Sequence, residues 1–121
     1  MRSERLKGHL DLLLMSVLSR APGHGYEVIT RLRERSEGAF ELPEGTVYPA
    51  LHRLEETGLL ASAWDVVSGR RRRIYRLTPA GAAALAEQAE QWREFSGSVA
   101  RVLGTPAAGM TWRPLLPGAP A

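Results

Sequence analysis

The sequence has no cysteine among its 121 residues. This absence excludes disulfides, a thiol nucleophile and zinc sites built on thiolates, and it suits a reducing compartment. The leucine-rich run Leu12–Met15 is far shorter than the roughly 20 residues that a membrane-spanning helix needs, and no other apolar run approaches that length. No basic and apolar signal segment opens the chain. We therefore predict a cytoplasmic protein.

Catalytic and metal-binding patterns are also absent. The three histidines fall on different predicted elements, without the spacing of metal ligands. No glycine-rich phosphate loop follows a strand, and no motif arranges a serine, a histidine and an acid. The sequence therefore predicts no catalytic residue, no metal site, no cofactor and no enzymatic activity.

What the sequence does contain is basic charge concentrated at one place. The formal net charge is +3 and the chain includes the run Arg70–Arg73. Without those four arginines the balance is 3 − 4 = −1, so the rest of the chain is slightly acidic. A charge run is usually a solvated face, but a concentrated cationic tip also fits a polyanion contacted at a defined place.

Apolar spacing and turn residues predict a mainly helical protein with one small hairpin. The predicted order is three helices, a two-stranded hairpin and a long helix, at about 7–20, 26–36, 46–57, 59–77 and 79–103. This order is that of a winged helix-turn-helix followed by a long C-terminal helix. We expect three parts: a winged domain over 1–78, a dimerisation helix over 79–104 and a flexible tail over 105–121.

The third predicted helix has one apolar face and one polar face. Thr46 is expected to cap it, which would put Pro49 at its third position, where a missing N–H costs nothing. Val47, Leu51 and Leu54 form the stripe that should be buried. The opposite face is the candidate reader of base edges in the major groove, and its DNA-binding candidates are Thr46, Tyr48, Pro49, His52 and Arg53.

The arginine run falls on the predicted hairpin next to this helix. Arginine suits phosphate oxygens and narrow minor grooves, so we predict DNA contacts by Arg70, Arg71, Arg72 and Arg73. Helix and hairpin together favour a sequence-specific DNA-binding regulator. The alternative is a winged-helix adaptor that binds only proteins, although such modules usually lack a cationic wing.

Three segments resemble the PadR family of bacterial transcriptional regulators: "HGYEVITRL" (24–32), "EGTVYPALHRLEETGLL" (44–60) and "GRRRRIYRLTPAG" (69–81). The resemblance implies a dimeric winged-helix repressor that binds palindromic double-stranded DNA. It also implies that the fourth helix forms the dimer with the first helix of the partner. A single C-terminal helix is similar to the short subfamily.

The fourth predicted helix carries an apolar stripe of its own. Its members recur at heptad spacing, which is typical of a helix that needs a partner helix. The predicted dimer interface comprises Leu85, Trp92, Phe95, Val99 and Val102.

Trp92 has a second interpretation besides filling that interface. In some short-subfamily relatives, paired tryptophans flank a planar, apolar and often cationic small molecule, and Trp92 lies at the matching place. The candidate effector pocket is formed by Trp92, Ser96, Asp11 and Leu12. Interface packing alone also accounts for a tryptophan there.

Overall fold

The computed structural model describes residues 8–104. It confirms the predicted fold class: mostly helical, with one antiparallel hairpin and a long C-terminal helix. The elements are α1 (Leu10–Arg20), α2 (Gly25–Arg35), α3 (Glu44–Glu56), β1 (Leu60–Val67), β2 (Arg70–Leu77) and α4 (Pro79–Leu103). The predicted start of the first helix at Lys7 and the tail at 105–121 lie outside the described residues.

The chain divides into two compact units, 1–87 and 88–121. The first contains α1 to α3, the hairpin and the beginning of α4, and the second contains the remainder of α4. The division falls inside α4 because its first turns belong to the first unit. There Gly81 is buried, and Ala84 and Leu85 pack against the core.

The core of the first unit is built from the apolar stripes of its helices. The apolar residues of each stripe recur every three or four positions, so one face of each helix is buried. The hairpin joins through Leu60 of β1 and Tyr75 of β2, both almost fully buried. The buried helical side chains are Leu14, Met15, Val17 and Leu18 of α1, Val28 and Leu32 of α2, and Val47, Ala50, Leu51 and Leu54 of α3.

Tyr26 departs from the expected pattern of α2. The spacing groups it with Ile29 and Leu32 on the inner face, yet its side chain is 57 % exposed. The inner face is centred on Val28 and Leu32. Tyr26 lies two residues from Val28, about 200° around the helix, so it points outward.

The prediction that Thr46 caps α3 is wrong. The helix begins at Glu44, and Pro43 is the N-cap, with an extended backbone whose carbonyl accepts the N–H groups of Thr46 and Val47. Pro49 is consequently the sixth helical residue and not the third. Its ring removes one backbone hydrogen bond, which would have reached the carbonyl of Gly45.

The hairpin is closed by a two-residue turn between β1 and β2. Ser68 and Gly69 both have positive φ, 52° and 76°, which is the backbone of a type I′ turn. On its other edge β2 exchanges two backbone hydrogen bonds with Gly23, of 2.9 and 3.0 Å, through Tyr75. These bonds fix the hairpin beside the start of α2.

α4 starts at Pro79, which agrees with the helix expected at about 79–103. The Thr78 hydroxyl accepts the N–H of Gly81 at 3.0 Å and donates to the Gly58 carbonyl at 2.6 Å. It thereby caps α4 and ties it to the chain leaving α3. Gly81 is required here, since a Cβ at this position would lie 2.0 Å from the Leu59 carbonyl oxygen.

Candidate nucleic-acid interface

The outer face of α3 carries the polar side chains expected from the sequence. With Val47, Ala50, Leu51 and Leu54 buried, the opposite side is left to solvent. Thr46 and Tyr48 are half-buried, and the exposed members are Pro49, His52, Arg53 and Glu56. The structure thus brings five predicted DNA-binding residues onto one helix.

Tyr48 also has a packing role that the sequence did not reveal. Its ring lies directly over Gly25, where a Cβ would come within 2.6 Å of two ring carbons. Only glycine admits the ring at this distance. The contact holds the beginning of α3 against the beginning of α2, and so sets the orientation of the candidate reading helix.

Arg53 of α3 is paired with a residue of another helix. Its guanidinium forms an ion pair with the carboxylate of Asp11 on α1. Both side chains are more than one-third exposed, so the pair orients the guanidinium and stabilises the fold little. Asp11, a candidate pocket residue, therefore contacts the face of α3 that is predicted to read DNA.

The strand register divides the arginine run between two faces of the hairpin. Directly opposite residues point to the same side of an antiparallel pair. Arg73 is opposite Trp64 and Arg71 is opposite Val66, whereas Arg72 is opposite Asp65 and Arg70 opposite Val67. Arg71 and Arg73 consequently share the face that carries Tyr75 into the core, and Arg70 and Arg72 share the other.

Arg73 connects the hairpin to α3. It donates to the Ser62 hydroxyl at 2.7 Å and to the Glu55 carboxylate at 3.1 Å, and Ser62 donates to Glu55 as well. These contacts, led by the hydrogen bond from Ser62, hold the pKa of the Glu55 carboxyl below its ordinary value. Glu55 is ionised at neutral pH and neutralises Arg73.

Trp64 is the residue of this surface that sequence reasoning missed. Its side chain is 56 % exposed, with the Arg71 and Arg73 guanidinium carbons 4.8 and 5.7 Å from the ring centroid. Both distances allow a cation–π contact. The sequence feature that could have indicated Trp64 is a tryptophan on a predicted two-stranded hairpin, opposite a run of arginines.

A cleft of about 400 Å³ separates the hairpin from α3. Trp64 and Arg71–Arg73 of the hairpin line one side, and Tyr48 and His52 of α3 line the other. Such a lining suits a polyanion with flat sugar and base surfaces. The lining residues are His24, Gly25, Tyr48, His52, Trp64, Arg71, Arg72, Arg73 and Tyr75.

Comparison with known proteins decides between a DNA-binding winged-helix regulator and a winged-helix adaptor that binds only proteins. Residues 14–87 match the model of the transcriptional regulator PadR-like family. The chain belongs to the PadR-like family of transcriptional regulators. It is thereby a DNA-binding regulator, and the proteins it resembles are regulators and not enzymes.

Individual PadR-like proteins are similar over different spans. Transcriptional regulator Rv3488 of Mycobacterium tuberculosis is 49 % identical over 67 residues, which are 55 % of this chain and 63 % of that protein. A PadR family transcription regulator from Clostridium difficile is 36 % identical with a TM-score of 0.71, over 79 % of this chain and 99 % of the other. A transcriptional regulator from Clostridium thermocellum is 27 % identical with a TM-score of 0.75, over 84 % and 96 % of the two chains.

In this PadR-like chain the second unit presents apolar side chains to solvent. Phe95 is 55 % exposed, Val102 88 %, Trp92 44 % and Val99 40 %. The Trp92 and Phe95 rings lie 6.2 Å apart on successive turns. Leu85, predicted to belong to the same stripe, is half-buried and packs against the core of the first unit.

The other candidate pocket residues, Ser96 and Leu12, are partly covered by the chain. Ser96 is half-buried and donates its hydroxyl to the Arg93 carbonyl, one turn earlier on α4. Leu12 is half-buried on α1.

Within residues 8–104 no three histidine, cysteine or acidic side chains are grouped so as to hold a metal ion. No helix in that range is long and apolar enough to cross a bilayer.

Proposed function

We propose that this PadR-like protein is a cytoplasmic homodimeric repressor that binds a palindromic operator near the genes it controls. The observation that carries the proposal is the placement of α3 and the hairpin in one compact unit. Tyr48 and His52 of α3 line one side of a single cleft, and Arg71–Arg73 of the hairpin line the other. The helix enters the major groove and the hairpin meets the adjacent backbone or minor groove.

In this proposal the dimer interface is formed by the second unit. Four large apolar side chains of α4 are exposed within three turns, and a contiguous apolar patch of this kind is typical of a protein interface. A two-fold axis is the common solution for two identical chains. It would present two copies of α3 to half-sites about 34 Å apart, one turn of the duplex.

The reading role of α3 is tested by a change that removes one base contact. Arg53→Ala should reduce the preference for operator over random duplex by about 1–3 kcal/mol, the discrimination of a good base contact. Fluorescence anisotropy with an operator selected from a random duplex pool measures both affinities. Tyr48→Phe removes the hydroxyl and keeps the ring over Gly25, so it examines Tyr48 without disturbing the packing.

Arg33→Ala is the matched control, because Arg33 is an exposed arginine on α2. It should lower both affinities slightly and leave their ratio unchanged. Equal losses on operator and random DNA for Arg53→Ala would make Arg53 a backbone contact only. If the wild type binds no duplex at low salt, the proposed function itself fails and the adaptor interpretation takes its place.

We also propose that a planar apolar or cationic effector binds between the two α4 helices at Trp92. The support is the exposed Trp92 side chain beside Phe95, which offers aromatic surface for stacking. Planar cationic dyes should quench wild-type tryptophan fluorescence and bind Trp92→Ala at least tenfold more weakly. The comparison with Trp92→Ala is necessary because Trp64 and Trp112 also fluoresce. Unchanged affinity in a Trp92→Ala dimer would contradict this site.

A further inference from the structure

The four arginines of the hairpin are not equivalent. Among residues 8–104, Arg70, Arg71 and Arg72 form no ion pair with a carboxylate, whereas Arg73 pairs with Glu55 and also donates to Ser62. The charge of Arg73 is therefore compensated before any DNA arrives. Arg73 serves to brace the hairpin against α3.

Arg71 is held by its contact with Trp64, and the Arg73 guanidinium lies farther from the same ring, at 5.7 Å. The Arg71 guanidinium lies 4.8 Å from the centroid of the Trp64 ring, and the register places it diagonally across the hairpin from that residue. Stacking on an aromatic ring uses the flat face of a guanidinium. The five N–H donors point outward in the plane of the group, so they stay available to phosphate oxygens.

The exposure of Trp64 supports a role at the surface. Tyr75 on the same hairpin face is almost fully buried, while Trp64 is 56 % exposed and contributes little to the core. Trp64 lines the cleft together with Arg71. A long side chain held by stacking loses less conformational freedom when it binds, which raises affinity without adding a contact.

We propose that Trp64 is a positioning residue that holds the Arg71 guanidinium in the cleft for a DNA phosphate, while Arg73 contacts no phosphate. The inference rests on the proposed DNA-binding function and assigns unequal roles within the arginine run. It also adds a residue, Trp64, whose effect on DNA is exerted through Arg71.

The experiment measures operator binding of full-length variants by anisotropy over a range of salt concentrations. Arg71→Ala should lower the log–log salt slope by about 1.8, since a dimer loses two phosphate contacts of about 0.9 each. Arg73→Ala should leave the slope unchanged. Trp64→Ala should weaken binding about 4- to 25-fold, because each of two half-sites loses a stacking contact that contributes about 2- to 5-fold.

Two comparisons separate positioning from a direct contact or a folding defect. Trp64→Phe keeps an aromatic face and should restore most of the affinity, whereas Trp64→Leu is apolar without a π face and should not. In the Arg71→Ala background, Trp64→Ala should have no further effect. Equal behaviour of Phe and Leu, an additive double variant, or a slope change from Arg73→Ala would each overturn the inference.

The wild-type measurement keeps this inference separate from the proposed function. A salt-dependent, operator-specific wild type combined with any of those contrary results overturns only the roles assigned to Trp64, Arg71 and Arg73. A wild type that binds no duplex overturns both. Should Trp64→Ala fail to fold by circular dichroism, the Phe and Leu variants still decide, because both retain a large apolar side chain on the strand.

Discussion

A chain that ends at Gln88 is expected to be monomeric and to bind single half-sites. This truncation removes Trp92, Phe95, Val99 and Val102, four exposed apolar side chains of the second unit, together with Leu103. Losing the joined second subunit should lower operator affinity by about 10²- to 10⁴-fold, the usual gain from joining two binding modules. Sedimentation equilibrium measures the mass, and anisotropy on one and two half-sites measures the affinity.

Point variants in the complete chain test the same interface without removing residues. Phe95→Glu with Val99→Glu places two charges on the apolar stripe and should also give a monomer. Glu94→Gln is the matched control, since Glu94 is exposed on α4 outside the heptad stripe, and it should remain dimeric. A truncated chain that still sediments as a dimer would show that the interface lies elsewhere.

The element order could be predicted because its boundaries have strong local signals. Ser68-Gly69 adopts positive φ at both residues, and Thr78 caps a helix that starts with Pro79, as their residue types predict. The start of α3 has no such signal. Thr46 resembles a cap, but the extended backbone of Pro43 begins the helix earlier, and that conformation depends on the loop packing that buries Leu42.

The faces of the site could be predicted from periodicity, but the contacts between elements could not. Spacing separates Val47 and Leu51 from Tyr48 and His52 without any knowledge of the neighbours. The pairing of Arg53 with Asp11 joins residues 42 apart in the chain, and that of Arg73 with Glu55 joins residues 18 apart. Such contacts depend on how the helices and the hairpin are placed.

These contacts change what the arginine run is expected to do. From the sequence alone, all four arginines are equivalent donors to phosphate. The structure compensates Arg73 with Glu55 and stacks Arg71 on Trp64. The arginine run is accordingly expected to make three phosphate contacts per subunit, although it contains four charges.

Replacing Arg70–Arg73 by alanine is expected to abolish most of the salt-dependent affinity for every duplex. Three phosphate contacts in each of two subunits make six, so the log–log slope should fall by about 5. If Arg73 also contacted phosphate, the eight contacts would give a fall of about 7. Between 50 and 200 mM salt, a difference of 5 in slope corresponds to about a thousandfold change in affinity. The ratio of operator to random binding should change little, because phosphate contacts carry no sequence information directly.

The control for charge alone replaces the same four residues by lysine. Lysine keeps the four positive charges but lacks the planar fork and stacks less well on Trp64. The lysine variant should therefore retain nearly the full salt slope and bind more weakly at every salt concentration. An alanine variant with an unchanged log–log salt slope would show that the hairpin does not contact DNA phosphates. In that case α3 must supply the contacts to phosphate. Its Arg53 is already paired with Asp11.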